Sequence, residues 1–205
     1  MLNKWILSPM TNRPVKTVAL SLALSFAATF TFASNVQAAS ASDVTKSSYT
    51  PEQVSMLGGK LSSKVPAGYA KDPTPLDPKA AAMGVTGASY FNKAEKSLLI
   101  TAQMPLPVSA DSDNDATSLS GLVKGTEMQQ SSSYKNYKKI GEKSIVKANG
   151  LGIRQLDTSF NVSDKPMLAT SVVAASGKQS AIVTVLTSVD NPKGHAALVK
   201  TVIGE

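Results

Sequence analysis

Apolar and polar residues alternate in the second half of the chain with a period of two, as in a strand with one buried face. Between 155 and 162 the even-numbered residues are mainly apolar and the odd-numbered ones are polar. The first set is Leu156, Thr158, Phe160 and Val162, and the second is Gln155, Asp157, Ser159 and Asn161. The pattern predicts a strand whose apolar face points inwards and whose polar face points outwards.

Other short apolar segments, separated by turn residues, predict more strands. They lie at 60–66, 85–91, 97–104, 145–148, 151–153, 167–175 and 181–189. The segments 98–102 and 181–189 are apolar on both faces, which favours central positions in a sheet. Asn149-Gly150 separates two apolar runs and predicts a two-residue hairpin turn, because both residue types tolerate positive φ.

Two segments carry helical signals. From about 115 to 132 the residues Ala116, Leu119, Leu122 and Val123 form one apolar stripe. The last helix opens with Asn191 as N-cap and Pro192 in its first turn, and ends at Gly204; Ala196, Val199, Val202 and Ile203 supply its buried side. The prolines of 69–80 predict an irregular loop between strands. The fold class is α+β: an antiparallel meander with helices packed on it, one helix inserted mid-chain and one C-terminal.

The N-terminus has the three parts of a secretory signal peptide. Lys4, Arg13 and Lys16 are basic, an apolar run spans 18–33, and Val36 and Ala38 are small residues at the positions that signal peptidase reads. We predict a signal peptide over 1–38, cleaved after Ala38. The alternative, an uncleaved anchor, is disfavoured because the run is shorter than the roughly 20 residues of a membrane span.

Cleavage leaves 167 residues, enough for one domain. Residues 39–56 are rich in Ser, Ala and Thr and predict a disordered linker, followed by the domain at 57–205. The chain contains no cysteine and therefore no site for lipoprotein acylation. A periplasmic protein without a lipid anchor or a stable membrane span is expected.

Charge and motifs exclude several function classes. The net charge of +7 falls to +4 after cleavage, which is too ordinary to indicate nucleic acid binding. No Gly-x-Ser-x-Gly elbow or Gly-rich phosphate loop is present. One histidine and no cysteine exclude the usual zinc sets. We predict no catalytic residue, no cofactor and no metal, and place His195 on a helix surface.

Asp111, Asp113 and Asp115 alternate as calcium ligands do. An EF-hand loop starting at Asp111 would need Gly and Glu where Ala116 and Leu122 stand. The aspartates therefore predict a solvated helix start, where the helix dipole favours negative charge.

Two segments are candidate partner surfaces. Lys135, Lys138 and Lys139 begin a lysine-rich stretch that extends to Lys147, which could contact anionic lipid head groups. The competing interpretation is an edge strand whose lysines discourage aggregation. Gln155 and Asp157 share one face of their strand and could form a polar binding surface; alternatively, this is an ordinary outward face or one covered by a helix.

Four segments resemble the DcrB family of envelope proteins from Gram-negative bacteria. They are Leu57-Gly58-Gly59-Lys60-Leu61-Ser62 with Val65-Pro66-Ala67, then Lys96-Ser97-Leu98-Leu99-Ile100, then Gln155-Leu156-Asp157-Thr158, and finally Ser171-Val172-Val173 with Gln179 and the strand to Thr187. The resemblance covers about 56–204. It implies a PsbP-like fold and a non-enzymatic role in envelope integrity and phage entry, with no catalytic residues to carry over. Members resemble lipoproteins, and this chain lacks the acylated cysteine.

The sequence thus predicts an exported, non-enzymatic accessory protein that binds an envelope protein or lipid partner. One alternative is a small-ligand or lipid-binding module that uses a cleft between sheet and helix. Another is a hydrolase of unknown substrate that uses Asp157 or His195.

Overall fold

The computed structural model of the protein describes residues 51–204, which form strands and helices in an α+β arrangement. The strands are β1 (Glu52–Met56), β2 (Leu61–Val65), β3 (Ala70–Lys71), β4 (Thr86–Asn92), β5 (Ser97–Pro105), β6 (Lys135–Val146), β7 (Gly152–Val162), β8 (Lys165–Ser176) and β9 (Gln179–Ser188). The helices are α1 (Pro78–Ala82), α2 (Ala116–Ser133) and α3 (Pro192–Ile203), with one 3-10 turn at Leu57–Gly59. The predicted signal peptide and its cleavage site lie outside the described residues.

Seven strands form one antiparallel sheet in the order β3-β4-β5-β9-β8-β7-β6, and β1 and β2 pair as a separate hairpin. Strands β6 to β9 follow one another as a meander. The segment containing α2 carries the chain from β5, inside the sheet, to β6 at its edge, and β9 then returns to pair with β5. The predicted antiparallel α+β fold is confirmed.

Both faces of the sheet bury apolar side chains. On one face α3 and the β1-β2 hairpin pack on β5 and on β7 to β9, in a core that includes Leu61, Leu99, Ile153, Val172, Val183 and Val202. On the other face Leu119, Leu122 and Val123 of α2 pack against Leu156 and Val173. Helices cover both faces at the centre of the sheet. The strands β5 and β9 therefore have nearly continuous apolar sequences, because both of their faces are buried.

Two segments predicted to be irregular contain short regular elements. Strand β1 occupies 52–56, the end of the segment interpreted as a linker, and pairs along its whole length with β2. The proline-rich loop of 69–80 also contains β3 and the start of α1, whose first turn is capped by the Asp77 side chain. Proline suits that first turn because its missing N–H has no helical partner there.

The hairpin between β6 and β7 has a three-residue loop rather than the predicted two. The Lys147 amide donates to the carbonyl of Leu151 at 2.9 Å, and the Gly150 amide donates to the carbonyl of Lys147 at 2.9 Å. Only Gly150 has positive φ, at 82°. This arrangement is typical of a turn that ends in a left-handed glycine, the next most common hairpin after the two-residue form.

Candidate functional site

His195 is buried against the sheet, with 9% of its surface exposed, so its predicted place on the helix surface is wrong. Asn191 starts α3: its side-chain oxygen accepts from the Gly194 amide at 2.9 Å, and its carbonyl accepts from the His195 amide at 3.0 Å. From that start, 195, 199 and 202 face the sheet, as helical spacing requires. Ala196, predicted for the buried side, is exposed instead.

Both ring nitrogens of His195 bind threonine hydroxyls. Nε2 lies 2.9 Å from Oγ1 of Thr170 on β8, and Nδ1 lies 2.9 Å from Oγ1 of Thr187 on β9. Thr170 donates its proton to Oδ1 of Asp157 at 2.7 Å, so its oxygen can only accept from the ring. The network therefore assigns the proton to Nε2, and Nδ1 accepts from Thr187.

Electrostatics agree with a neutral imidazole. Burial lowers the pKa of His195 below its ordinary value of 6.5, and the charge of Asp157 opposes this effect to a smaller extent. Desolvation disfavours the charged form of a base, whereas a nearby carboxylate favours it. Since burial dominates, His195 is uncharged at neutral pH.

Gln155 and Asp157 belong to the same network. The Gln155 amide lies 2.9 and 3.0 Å from the two carboxylate oxygens of Asp157. Gln155 is 6% exposed and Asp157 is half-buried, so the expected outward polar face is wrong for this part of β7. Hydrogen bonds from Asp157 through Thr170 to His195 connect this face to α3, which favours the covered face that the sequence had left open. Opposite Asp157 on β6 stands Gly141, where an added Cβ would lie 3.9 Å from Oδ2.

The order of groups in this network does not match a catalytic triad. In a triad the acid orients the histidine, and the histidine contacts an accessible hydroxyl. Here the acid contacts the hydroxyl of Thr170, which is 2% exposed, and both nitrogens of His195 are already bonded. The cluster holds α3 on β7, β8 and β9.

A cleft of about 360 Å³ with both polar and apolar lining residues opens on one side of α3; we call it the α3 cleft. Its walls come from α3, from the loop after β2 and from the turn between β4 and β5. On its floor the hydroxyl of Tyr69 lies 2.5 Å from Oγ of Ser97, beside Thr187 and His195. Burial raises the pKa of Tyr69, the hydrogen bond with Ser97 lowers it, and the charge of Glu95 raises it. The phenol is thus neutral at physiological pH.

A second, mainly apolar depression of about 90 Å³ lies between α2 and strands β5 and β9; we call it the α2 groove. Ile100, Ile182 and Leu186 line its strand side, and Gly121, Gly125 and Gln129 its helix side. Two glycines one helical turn apart remove side chains from the helix wall. A Cβ added at Gly121 would meet nothing within 4 Å.

The predicted lysine surface follows β6, an edge strand of the sheet. Lys135 lies 3.4 Å from Asp164, and both side chains are largely exposed. Lys139 lies 3.2 Å from Glu127 and 2.9 Å from Glu142. Within residues 51–204, Lys138 and Lys143 form no ion pair.

In the loop that contains Asp111, Asp113 and Asp115, the last two carboxylates are hydrogen-bonded within the chain. Oδ2 of Asp113 accepts from Lys60 Nζ at 2.7 Å and Oδ1 accepts from Ser176 at 2.7 Å, and these bonds, first that from Lys60, lower the pKa of Asp113. Asp115 caps α2 by accepting from Ser118 and from the Thr117 amide, which lowers its pKa. No cluster of His, Asp and Glu able to hold a metal ion occurs in the described part of the chain.

Four polar residues of these sites escaped sequence reasoning: Tyr69, Ser97, Thr170 and Thr187. Thr170 and Thr187 carried a signal, since each is a polar residue within a mainly apolar strand. A polar side chain in a buried strand needs a hydrogen-bond partner, so a pair of such residues indicates a buried polar cluster. No comparable signal marks Tyr69 and Ser97, which are 28 residues apart.

No protein-family model and no curated protein matches this chain. Among solved structures, it is similar to the solution structure of cyanobacterial PsbP (CyanoP) from Synechocystis sp. PCC 6803, with a TM-score of 0.51 and 19% sequence identity over 81% of this chain and 95% of that chain. This likeness shows a PsbP-like fold, as predicted. Membership of the DcrB family stays a prediction.

Two further solved structures are more distantly similar to this chain. One is a Pseudomonas aeruginosa protein of unknown function, PA94, described as a putative regulator, with a TM-score of 0.43 and 12% identity over 74% of this chain and 92% of that one. The other is LpqN, involved in cell envelope biogenesis of Mycobacterium tuberculosis, with a TM-score of 0.42 and 12% identity over 76% of this chain and 88% of that one.

Proposed function

We propose that this chain is an exported, non-enzymatic accessory protein of the cell envelope that binds an acidic partner along strand β6. Export rests on the basic, apolar and small-residue order of 1–38. None of the helices in 51–204 is long and apolar enough to cross a membrane. A mature protein that begins at Ala39, found by intact mass in the periplasmic fraction, would support this part of the proposal; a full-length cytosolic chain would contradict it.

The observation that carries partner binding is the composition of the β6 edge. Over 12 residues the strand has four lysines and one glutamate, and its side chains are mostly exposed. Ile140 and Val146 are 60% and 59% exposed between these charges. Of these lysines, Lys138 and Lys143 form no ion pair within residues 51–204. Together with the exposed Ile140 they offer both contact area and electrostatic selection for a negatively charged partner.

Irregular pairing of β6 with β7 further restricts the kind of partner that can bind this edge. The pairing register with β7 shifts between Lys135 and Lys138 and again between Lys139 and Gly141, which leaves Ile140 as an extra residue. Bulges and lysines keep an exposed edge from pairing with other sheets indiscriminately. The partner that suits this edge is an acidic protein segment that contacts Ile140 and neutralises Lys138 and Lys143.

The hydrogen bonds of His195 and Asp157, the two residues that a hydrolase would use, also favour a binding role over hydrolysis. His195 is neutral and bonded at both nitrogens, and Asp157 is held by Thr170 and Gln155. A general base needs an open hydrogen-bonding position towards the substrate. Both side chains already serve the attachment of α3.

Photo-crosslinking in intact cells tests the proposal. A photo-reactive amino acid at 140 should give a reproducible adduct with an acidic envelope protein, and one at Met128, which is 69% exposed on α2, should not. Lys138→Glu with Lys143→Glu should abolish the adduct, whereas Lys124→Glu on α2 should preserve it. Equal adducts from both positions, or none from 140, would refute binding along β6.

A second candidate function, binding an apolar chain end, is favoured by the α2 groove. Mid-helix glycine costs about 1 kcal/mol relative to alanine, and α2 has Gly121 and Gly125 on its groove side. The groove is smaller than the cavity of about 150 Å³ that admits benzene. It therefore suits the end of one acyl chain rather than a whole lipid.

A further inference from the structure

The α3 cleft has the dimensions of a small-molecule site. Its volume of about 360 Å³ lies at the lower end of the range of ligand pockets, about 300 to 1,000 Å³. Apolar walls come from Pro66, Ala67 and Leu198, and polar groups lie on its floor and rim. The sheet order separates β5 and β9, which line the cleft, from β6 at the far edge.

The hydroxyl groups on the floor of the α3 cleft leave one donor and one acceptor free for a ligand. The hydroxyls of Tyr69 and Ser97 together hold two protons and share one hydrogen bond, so one O–H remains for a ligand. Thr187 donates its proton to His195 at 2.9 Å rather than to the Ser188 carbonyl at 3.4 Å, and its oxygen can accept. Tyr69 and Ser97 are 3% and 4% exposed, so these groups are held in place by surrounding structure. A hydroxylated ligand matches one donor beside one acceptor.

The charge of the lining is carried by one residue. Of the described residues that line the cleft, Glu95 is the one with a formal charge, since His195 is neutral. Asn92, 9% exposed, fixes the turn by accepting from the Glu95 amide at 3.1 Å. Gly68 lets the facing loop approach: an added Cβ would lie 3.3 Å from Asn92 Nδ2, and its φ of +87° favours glycine. The turn therefore holds the backbone of Glu95 at the rim, where its exposed carboxylate favours a cation.

We propose that the α3 cleft binds a small hydroxylated primary amine, whose ammonium group pairs with Glu95 and whose hydroxyl groups bond Ser97, Tyr69 and Thr187. Amino sugars and amino alcohols have this chemistry. The cleft and the β6 edge are separate sites, so this binding is independent of the partner proposed above.

The test is a titration of the isotope-labelled mature protein at neutral pH, followed by NMR. Glucosamine is the probe, and glucose is its uncharged counterpart. Glucosamine should shift the amides of Ala67, Gly194 and Ala197 saturably, with a dissociation constant on the order of 1 mM for a ligand of about a dozen heavy atoms. Glucose should bind about tenfold more weakly, because it lacks the charge-assisted bond.

Two matched pairs of variants complete the experiment. Glu95→Gln should remove the preference for glucosamine, and Glu142→Gln on β6 should keep it. Ala197→Trp should block the cleft and abolish the shifts, whereas Ala196→Trp, at the next exposed position outside the cleft lining, should not. The proposal is overturned by the absence of saturable shifts, by shifts located away from the cleft, or by equal binding of the two sugars. None of these outcomes would affect the crosslinking at 140.

Discussion

Nδ1 of His195 lies 2.9 Å from the hydroxyl oxygen of Thr187, and this bond joins α3 to the strand that precedes it. Eight residues separate the two, just enough for the chain to leave the sheet, turn and fold back over it. The opposite ring nitrogen reaches the neighbouring strand β8. The imidazole therefore attaches the first turn of α3 to two neighbouring strands, and this turn forms part of one wall of the α3 cleft.

We predict that His195→Ala destabilises the protein by about 2 to 4 kcal/mol. The substitution removes the hydrogen bond of Thr187 to the imidazole and one of the two hydrogen bonds of Thr170, which keeps Asp157, and it leaves a cavity where the ring was; these losses together cost about 2 to 4 kcal/mol. Urea denaturation followed by circular dichroism measures the loss. Lys200→Ala, at an exposed position of the same helix, is the control and should change stability by less than about 0.5 kcal/mol. Similar values for both variants would contradict a structural role for the imidazole.

Stability should fall as the pH drops below about 7. Burial lowers the folded-state pKa of His195 below 6.5, so between the two pKa values the unfolded chain binds the extra proton. The stability is therefore complete above the unfolded-state pKa and declines as pH falls through it, while Asp157 limits the decline. Urea midpoints measured from pH 7.5 to 5 should show this slope, and His195→Ala should flatten it. An NMR titration in which the ring protonates above pH 6.5 would refute the sign.

Periodicity explains why much of the fold was predictable. The strand at 155–162 and the helix at 115–132 carry the period of one structure type, and the strands at 85–91, 97–104, 167–175 and 181–189 are apolar runs bounded by turn residues; the structure contains each of these elements. The burial of the polar face of β7 was harder to predict, because alternation shows which residues share a face and not what packs against that face. The PsbP-like fold followed from the pattern and the resemblance together.

The candidate site was harder to predict because its residues meet only in three dimensions. One residue of rotation along α3 decides whether His195 or Ala196 faces the sheet, and apolar periodicity favoured the alanine. The contacts of His195 with Thr170 and of Tyr69 with Ser97 span 25 and 28 residues. No spacing rule links such positions, and only the threonines inside apolar strands hinted at them.

The same substitution at two glycines should have opposite effects. A Cβ at Gly87 would collide with the backbone carbonyl of Thr101 and lie 2.9 Å from Cα of Ala102, so Gly87→Ala forces the β4-β5 pair apart. We expect a loss of about 2 kcal/mol or more, typical of strain that backbone must absorb. Gly121→Ala adds a methyl group to open space within a helix and should stabilise by about 1 kcal/mol. Thermal unfolding of the two variants gives both signs in one experiment, and a neutral Gly87→Ala would show that β4 can shift.

Calcium should leave the protein unchanged. The carboxylate of Asp113 is bonded to Lys60 and Ser176, and that of Asp115 caps α2, so a metal would have to displace existing partners. The bonds of Asp113 and Asp115 favour the solvated helix start over a calcium site, and the absence of calcium binding stays a prediction. Calcium at about 5 to 10 mM exceeds the dissociation constants of the weakest extracellular calcium modules. At this concentration it should not raise the melting temperature more than the same concentration of magnesium does. A calcium-specific increase that disappears in Asp113→Asn would contradict this assignment.

Filling the α2 groove should abolish its capacity for an apolar chain end. Gly121→Leu places an isobutyl group where an added Cβ meets nothing within 4 Å, and Ser120→Leu adds the same side chain at an exposed position one residue earlier. Octanoate should shift the methyl resonances of Leu122 and Ile182, both of which line the groove, in the unaltered protein and in Ser120→Leu. In Gly121→Leu the shifts should vanish although the fold is kept, because the leucine occupies the space of the chain end. If octanoate still shifted these methyl groups in Gly121→Leu, the groove would not be its site.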